Sequence, residues 1–148
     1  MNNTDFIIEE ATAFTPEIGD AVIHLSSELD TVASGLKHED IVRIIEAPHT
    51  RLFLAMTPQE KKIVGMITLV TYRIPNKMKG IIEDVVVDSE FRKKGIGGEL
   101  VTHALKKAKE AGVTSLDFTS HPSRVDANRL YQKLGFQKRD TNVYRINL

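Results

Sequence analysis

The chain has 148 residues, with 20 Lys and Arg balanced by 20 Asp and Glu, and no cysteine. That length suits one domain, 1–148, large enough to bury a core without staples. The missing cysteines exclude disulfides, thiolate metal sites and cysteine nucleophiles, and the zero net charge gives no global argument for binding nucleic acid or a membrane surface.

In chain order, residues 6–9 read as a short strand. Thr15-Pro16 opens a helix: Thr15 suits the cap, Pro16 the first helical position, and Ile18, Ala21, Val22, Leu25 and Leu29 form its apolar stripe. A second helix is expected over 38–46, with Ile41, Val42, Ile44 and Ile45 apolar, and Pro48 stops it. Strands are expected over 52–56 and 62–72, joined by the turn TPQEK, and a third over 81–88 after the loop IPNKMKG. A helix over 97–111 carries Leu100, Val101, Ala104, Leu105 and Ala108 on one side and ends at Gly112. A short strand over 114–119, a helix over 123–134 and two last strands, from Gly135-Phe136 and over 143–147, complete the reading. The order β-α-α-β-β-β-α-β-α-β-β implies an α/β or α+β domain with one mixed sheet. The opening MNNTDFIIEE has no basic segment followed by an apolar one, and no apolar run approaches the ~20 residues of a membrane span, so a cytoplasmic protein is expected.

The most informative stretch is RKKGIGGEL, residues 92–100. It lacks the Lys-Ser/Thr of a nucleotide phosphate loop, and Leu100 takes the third glycine position of a dinucleotide fingerprint. What remains is R-x-x-G-x-G between a buried strand and a helix. Glycines let backbone N–H groups approach an anion, and the helix N-terminus adds positive potential. Arg92, Lys93 and Lys94 add charge, so a pyrophosphate is the expected ligand.

The stretch VVVDSEFRKKGIGGELV resembles the central motif of the GNAT family of N-acetyltransferases, and SRVDANRLYQKLGF resembles the later motif of that family. The resemblance spans most of the chain. It implies one mixed, mostly antiparallel sheet of 6–7 strands with about 4 helices, and acetyl-coenzyme A (acetyl-CoA) as cofactor. Val85, Val86 and Val87 are then expected to pair with the pantetheine arm, and Arg92, Lys93, Lys94, Gly95, Ile96, Gly97 and Gly98 to hold the pyrophosphate. Arg124 stands where many members carry an asparagine; Asn128, one turn on, is the expected substitute. The strand text IEDVVV also resembles the glucosamine-phosphate acetyltransferases, whereas TSHPSR and TNVYR resemble a bacterial subgroup that implies no particular substrate.

The implied chemistry is direct acetyl transfer to a primary amine of a small molecule or peptide. Tyr131, with an ordinary pKa near ~10, is the expected donor to the leaving thiolate. Glu83 is the expected base and Asp84 a substrate-binding residue; strict alternation would put Glu83 on the face of Val85 and Val87, and Asp84 with Ile82 and Val86. His121 is a third candidate base, though a cap for the next helix is the simpler role. Glu28, Asp30 and Glu39 suggest an acidic wall for a cationic acceptor, with Tyr72, Arg73 and the loop 74–79 opposite. No metal is expected, because neither the histidines nor the carboxylates cluster along the sequence. The other class of function that this pattern allows is a non-catalytic acyl-CoA-binding sensor or interaction module. A homodimer is compatible with the resemblance; a nucleic-acid partner is not expected.

Overall fold

The computed structural model describes residues 5–29 and 35–148. The chain divides into two compact units, one ending at Phe118 and the other Thr119–Leu148. In the first, β1 (Ile7–Glu10), α1 (Pro16–Ser27), α2 (His38–Glu46), β2 (Thr50–Met56), β3 (Ile63–Ile74), β4 (Lys77–Val87), α3 (Ile96–Glu110) and β5 (Val113–Asp117) follow one another, with a 3-10 turn, Ser89–Phe91, before α3. The second unit carries α4 (Val125–Lys133).

The helix starts follow from their caps. Thr15 Oγ1 accepts from the N–H of Ile18 at 3.2 Å, with Pro16 in the first position as expected. Asp40 reaches back to the N–H of Lys37 at 2.9 Å and closes the first turn of α2.

The sheet has five strands in the order β1-β2-β3-β4-β5; β4 and β5 are parallel and the other pairs antiparallel. This corrects the expected 6–7 strands. Residues 136–148, where two strands were expected, join no strand, and Val143, Tyr144, Ile146 and Leu148 are among the exposed large hydrophobics. A second correction concerns IPNKMKG. Strands β3 and β4 run on to Ile74 and Lys77, so Pro75-Asn76 forms a tight hairpin turn and not a long loop.

Both sheet faces are covered. On one, Val22 and Leu25 of α1 and Ile41 of α2 pack with Leu52, Leu54, Met66 and Val86. On the other lies α3: a methyl group on Gly65 would meet Leu100 and Ile96 at 3.1 and 3.3 Å, and the rings of Phe53 and His103 are 4.9 Å apart. This two-sided burial accounts for the nearly continuous apolar runs of β2 and β3.

Candidate active site

Register shifts at Ala55/Met56 and Met78/Lys79 aside, the irregularities that shape the site lie on β4. Between Met66 and Thr68 of β3 the register shifts: Thr68 faces Glu83, but Met66 faces Val86, so β4 carries one extra residue. Asp84 sits at this bulge with φ +52°, a left-handed conformation in which aspartate is tolerated better than most residues. The bulge reverses the alternation. Ile82 faces Leu69 and so lies on the α3 side, whereas Val86 packs with Met66 on the α1/α2 side. Glu83, opposite Thr68, lies on the α1/α2 side with Val86, and Val87, opposite Gly65, lies on the α3 side. The expected sharing of a face by Glu83 and Val87, and by Ile82 and Val86, is therefore wrong; strict alternation fails wherever a residue is inserted.

The second irregularity is a parting of strands. The parallel pairing of β4 with β5 stops at Ile81 opposite Asp117. Beyond it, residues 82–87, including Val85, Val86 and Val87, have no β5 neighbour on that edge. An open edge of this kind accepts an extended arm by backbone hydrogen bonding.

Strand β4 ends in a fastened turn. Asp88, 4% exposed, accepts from the N–H of Glu90 at 2.9 Å, and its other carboxylate oxygen is 2.9 Å from Nε2 of His24 on α1. The Glu90 N–H, and then His24, hold the Asp88 carboxyl below its usual pKa. Ser89 Oγ donates to Glu28 at 3.2 Å; Arg92 donates Nη2 to Glu28 at 2.9 Å and Nε to the carbonyl of Val87 at 3.1 Å. Sequence reasoning missed this network, because its partners lie 61 and 64 residues apart and no spacing rule joins them.

It changes two expectations. Glu28 is spent on Arg92 and Ser89 and is no open acidic wall; Asp30 lies outside the described residues, and Glu39 is exposed. And potential metal-binding atoms do cluster: those of His24, Glu28 and Asp88 lie within 4.8 Å of one another. The Arg92 guanidinium on Glu28 and the Glu90 N–H on Asp88 already occupy those carboxylates, so the group is built as an ion-pair network. Beside it, an open pocket of about 600 Å³ is lined by residues that include Glu17, His24, Glu60, Lys61 and Asp88.

The glycine turn follows. Gly95 caps α3 with φ +82°, and a methyl group there would meet nothing within 4 Å, so its backbone faces open space. Glu99 donates to Gly95 O at 3.1 Å, which leaves the N–H groups of Ile96, Gly97 and Gly98 in the first turn without an acceptor inside the helix. Ile96 itself is buried, so it offers only its backbone. Lys93, at φ +62°, and Lys94 are exposed, and Nζ of Lys94 lies 4.9 Å from the centre of the Phe91 ring. The free donors, the helix end and two exposed lysines fit a pyrophosphate; Arg92 contributes its charge from a paired position.

Asp84 is exposed by area, yet the protein around its carboxyl desolvates it and raises its pKa from the ordinary aspartate value. Strained backbone and a raised pKa at one residue are typical of a functional position.

Within the second unit, the N–H of Arg124 and Nδ2 of Asn128 both donate to the carbonyl of His121, at 3.0 Å each. His121 Nδ1 is 2.7 Å from Ser123 Oγ and accepts from the N–H of Ser123 at 3.2 Å, inside the turn before α4; the helix is capped at Arg124 with no side-chain hydrogen bond, so His121 does not cap it. Asn128 thus commits its amide nitrogen to closing the turn. Tyr131 is buried, with its ring 6.3 Å from that of Phe136. Burial raises its pKa against an opposing effect of Arg124, so the phenol stays protonated at neutral pH.

The family model described as "Acetyltransferase (GNAT) family" matches residues 20–136. Human N-acetyltransferase 8 is 31% identical over 89 residues, 59% of this chain and 39% of that protein, so the chain spans well under half of that curated relative. An aminoglycoside acetyltransferase from an uncultured soil metagenomic sample, solved in complex with trehalose, superposes with a TM-score of 0.84 at 20% identity, covering 99% of this chain and 97% of that one. The acetyltransferase AAC(6')-Iy, solved with a bisubstrate analogue of coenzyme A, superposes with a TM-score of 0.78 at 17% identity, covering 97% of this chain and 99% of that one. A fold shared across this whole length, a family match over both sequence motifs and the parted, bulged strand before the glycine turn agree: the chain belongs to the GNAT family of acetyltransferases.

Proposed function

We propose that the chain transfers an acetyl group from acetyl-CoA directly to a primary amine of a small molecule or peptide. The observation that carries this reading is the continuity of the open β4 edge beyond Ile81 with the unfilled N–H groups of Ile96, Gly97 and Gly98. The edge offers Val85 to Val87 to an extended arm, and the helix end offers three donors and two exposed lysines to its phosphates. Acetyl-CoA, when bound, supplies the thioester and the thiolate leaving group. Tyr131 supplies a hydrogen bond, and with help a proton, to that thiolate. A thiol near ~8.5 is a weaker base than a phenolate near ~10, so complete transfer from Tyr131 is uphill.

An acceptor amine near ~10.4 is protonated at pH 7 and needs a base. Glu83 and Asp84 are the two candidates from the sequence. The bulge favours Asp84, whose raised pKa brings it nearer to the working range of a base.

The test has two parts. A thermal melt with acetyl-CoA at about 100 times its dissociation constant should show ~2.7 kcal/mol of stabilisation. Thiol release is then followed with an amine panel; the chain has no cysteine to raise the background. A melting shift with turnover of at least one amine supports transfer. A shift without turnover of any amine favours the acyl-CoA-binding module, and no shift removes the cofactor assignment.

A further inference from the structure

We propose that Lys62 and Lys94, gathered on the ring of Phe91, bind the 3′-phosphate of coenzyme A, so that the chain selects this cofactor over its dephosphorylated form. The inference rests on the acetyl-CoA reading above and adds to it a turn that neither sequence motif includes. Lys94 belongs to the glycine turn, whereas Lys62 lies at the end of the turn between β2 and β3.

That turn is built to hold Lys62 in place. Thr57 closes it three times: its N–H donates to the carbonyl of Lys62 at 2.9 Å, its carbonyl accepts from the N–H of Lys61 at 3.0 Å, and its Oγ1 accepts from the N–H of Lys62 at 3.1 Å. The closure leaves Lys61 at φ +53°, in the left-handed region, as Lys93 is at φ +62° in the glycine turn. Strained backbone at residues other than glycine clusters at ligand clamps, and each of these two directly precedes a lysine on the ring.

Nζ of Lys62 lies 5.0 Å and Nζ of Lys94 4.9 Å from the centre of the Phe91 ring, so the two ammoniums are within about twice that distance of each other. A ring face attracts a cation but does not neutralise it. Two positive charges are thereby brought together and kept available. Lys62 also pairs with Glu90 at 3.8 Å, between side chains that are 48% and 76% exposed. An exposed pair at that distance is weak, and a phosphate competes with it as a stronger acceptor.

Coenzyme A carries two kinds of phosphate. Its pyrophosphate has the N–H groups of Ile96, Gly97 and Gly98, with the charge of Lys93 beside them. The same ribose bears a monoester of about −1.5 to −2 charge at pH 7, which calls for full positive charges next to that site. Lys94 directly precedes Gly95, the cap of α3, so the paired lysines border the pyrophosphate donors as the monoester borders the pyrophosphate. Two flexible stems ending in point charges suit such a group.

Isothermal titration of the full-length chain with coenzyme A and with 3′-dephospho-coenzyme A tests this. The unaltered chain should bind coenzyme A about tenfold more tightly, the worth of a charge-assisted contact. Lys62→Gln and Lys94→Gln should each erase most of that preference. Both should bind dephospho-coenzyme A nearly as the unaltered chain does, which also shows that they are folded. Lys109→Gln, which removes an exposed lysine from the last turn of α3, should keep the preference. The proposal is overturned if the unaltered chain binds both ligands equally, if Lys62→Gln keeps the full preference, or if Lys109→Gln loses as much as Lys62→Gln. Equal binding of the two ligands leaves the acetyl-CoA reading in place, whereas no binding of either removes both.

Discussion

Arg92 donates to Glu28 at 2.9 Å while its Nε holds the carbonyl of Val87 at 3.1 Å, so the first cation of the glycine turn ties α1 to the end of β4. Arg92→Ala should therefore weaken the protein before any ligand is added. The pair is partly exposed, which limits its worth to about 1 kcal/mol, or roughly 2–4 °C in melting temperature for a chain of this size. Glu28→Gln keeps an acceptor and should cost less. With acetyl-CoA present, the Arg92→Ala shift should shrink only in part, because the backbone donors of α3 remain. Six melts, of the unaltered chain and of both variants, each with and without ligand, check this; a normal apo melting temperature in Arg92→Ala would show that the tie is worth nothing.

Gly95 isolates the backbone contribution of the turn. Its φ is +82° and nothing lies within 4 Å of an added methyl group, so Gly95→Ala pays only for the left-handed conformation, on the order of 1–2 kcal/mol. Gly95→Asn should cost less, since asparagine tolerates that region. Chemical denaturation of the two variants should rank them in that order. Equal losses would point to a steric clash in place of backbone strain.

These two residues mark what the sequence could and could not convey. Gly95, Thr15, Pro16 and helix α2 are local features, set by caps, turns and periodicity within a few residues, and the structure has them where the pattern puts them. The Glu28–Arg92 and His24–Asp88 pairs are each 64 residues apart, and the bulge at Asp84 depends on how β3 meets β4. Neither leaves a trace in local spacing. The two last strands failed for another reason: the alternation at 143–147 is real, but a strand needs a partner edge, and none in the sheet is paired with it.

Tyr131→Phe should leave folding nearly unchanged and lower turnover by about 10²–10⁴-fold, the usual worth of a positioned acid. Burial raises the Tyr131 pKa, so its donor form persists through neutral and mildly alkaline pH. Turnover should therefore show no alkaline loss from this residue until above ~10. Steady-state kinetics of the variant at saturating acetyl-CoA make the comparison, and unaltered turnover would remove Tyr131 from the chemistry.

Asp84 and Glu83 separate by their pH behaviour. Desolvation raises the Asp84 pKa, so its contribution to stability is present below the unfolded value near ~3.9 and is lost as pH rises through the higher folded value. Asp84→Asn removes that loss and fits the left-handed position, so it should be at least as stable at pH 7. If Asp84 is the base, the same variant loses the acid limb of kcat/KM, while Glu83→Gln keeps it. The reverse pattern would return the role to Glu83.

Asp88 has the opposite sign. The Glu90 N–H and His24 lower its pKa, so its stabilising effect is complete above the unfolded value near ~3.9 and fades as pH falls toward the lower folded value. Asp88→Ala removes the cap of the 3-10 turn and the anchor of α1 together. It should cost about 1–2 kcal/mol at pH 7, by analogy with lost helix caps. Urea midpoints of both proteins at pH 7 and pH 3 should converge at the lower pH, where the carboxyl of the unaltered chain begins to protonate. A gap that stays constant with pH would mean that Asp88 holds the turn by shape and hydrogen bonding alone, without its charge.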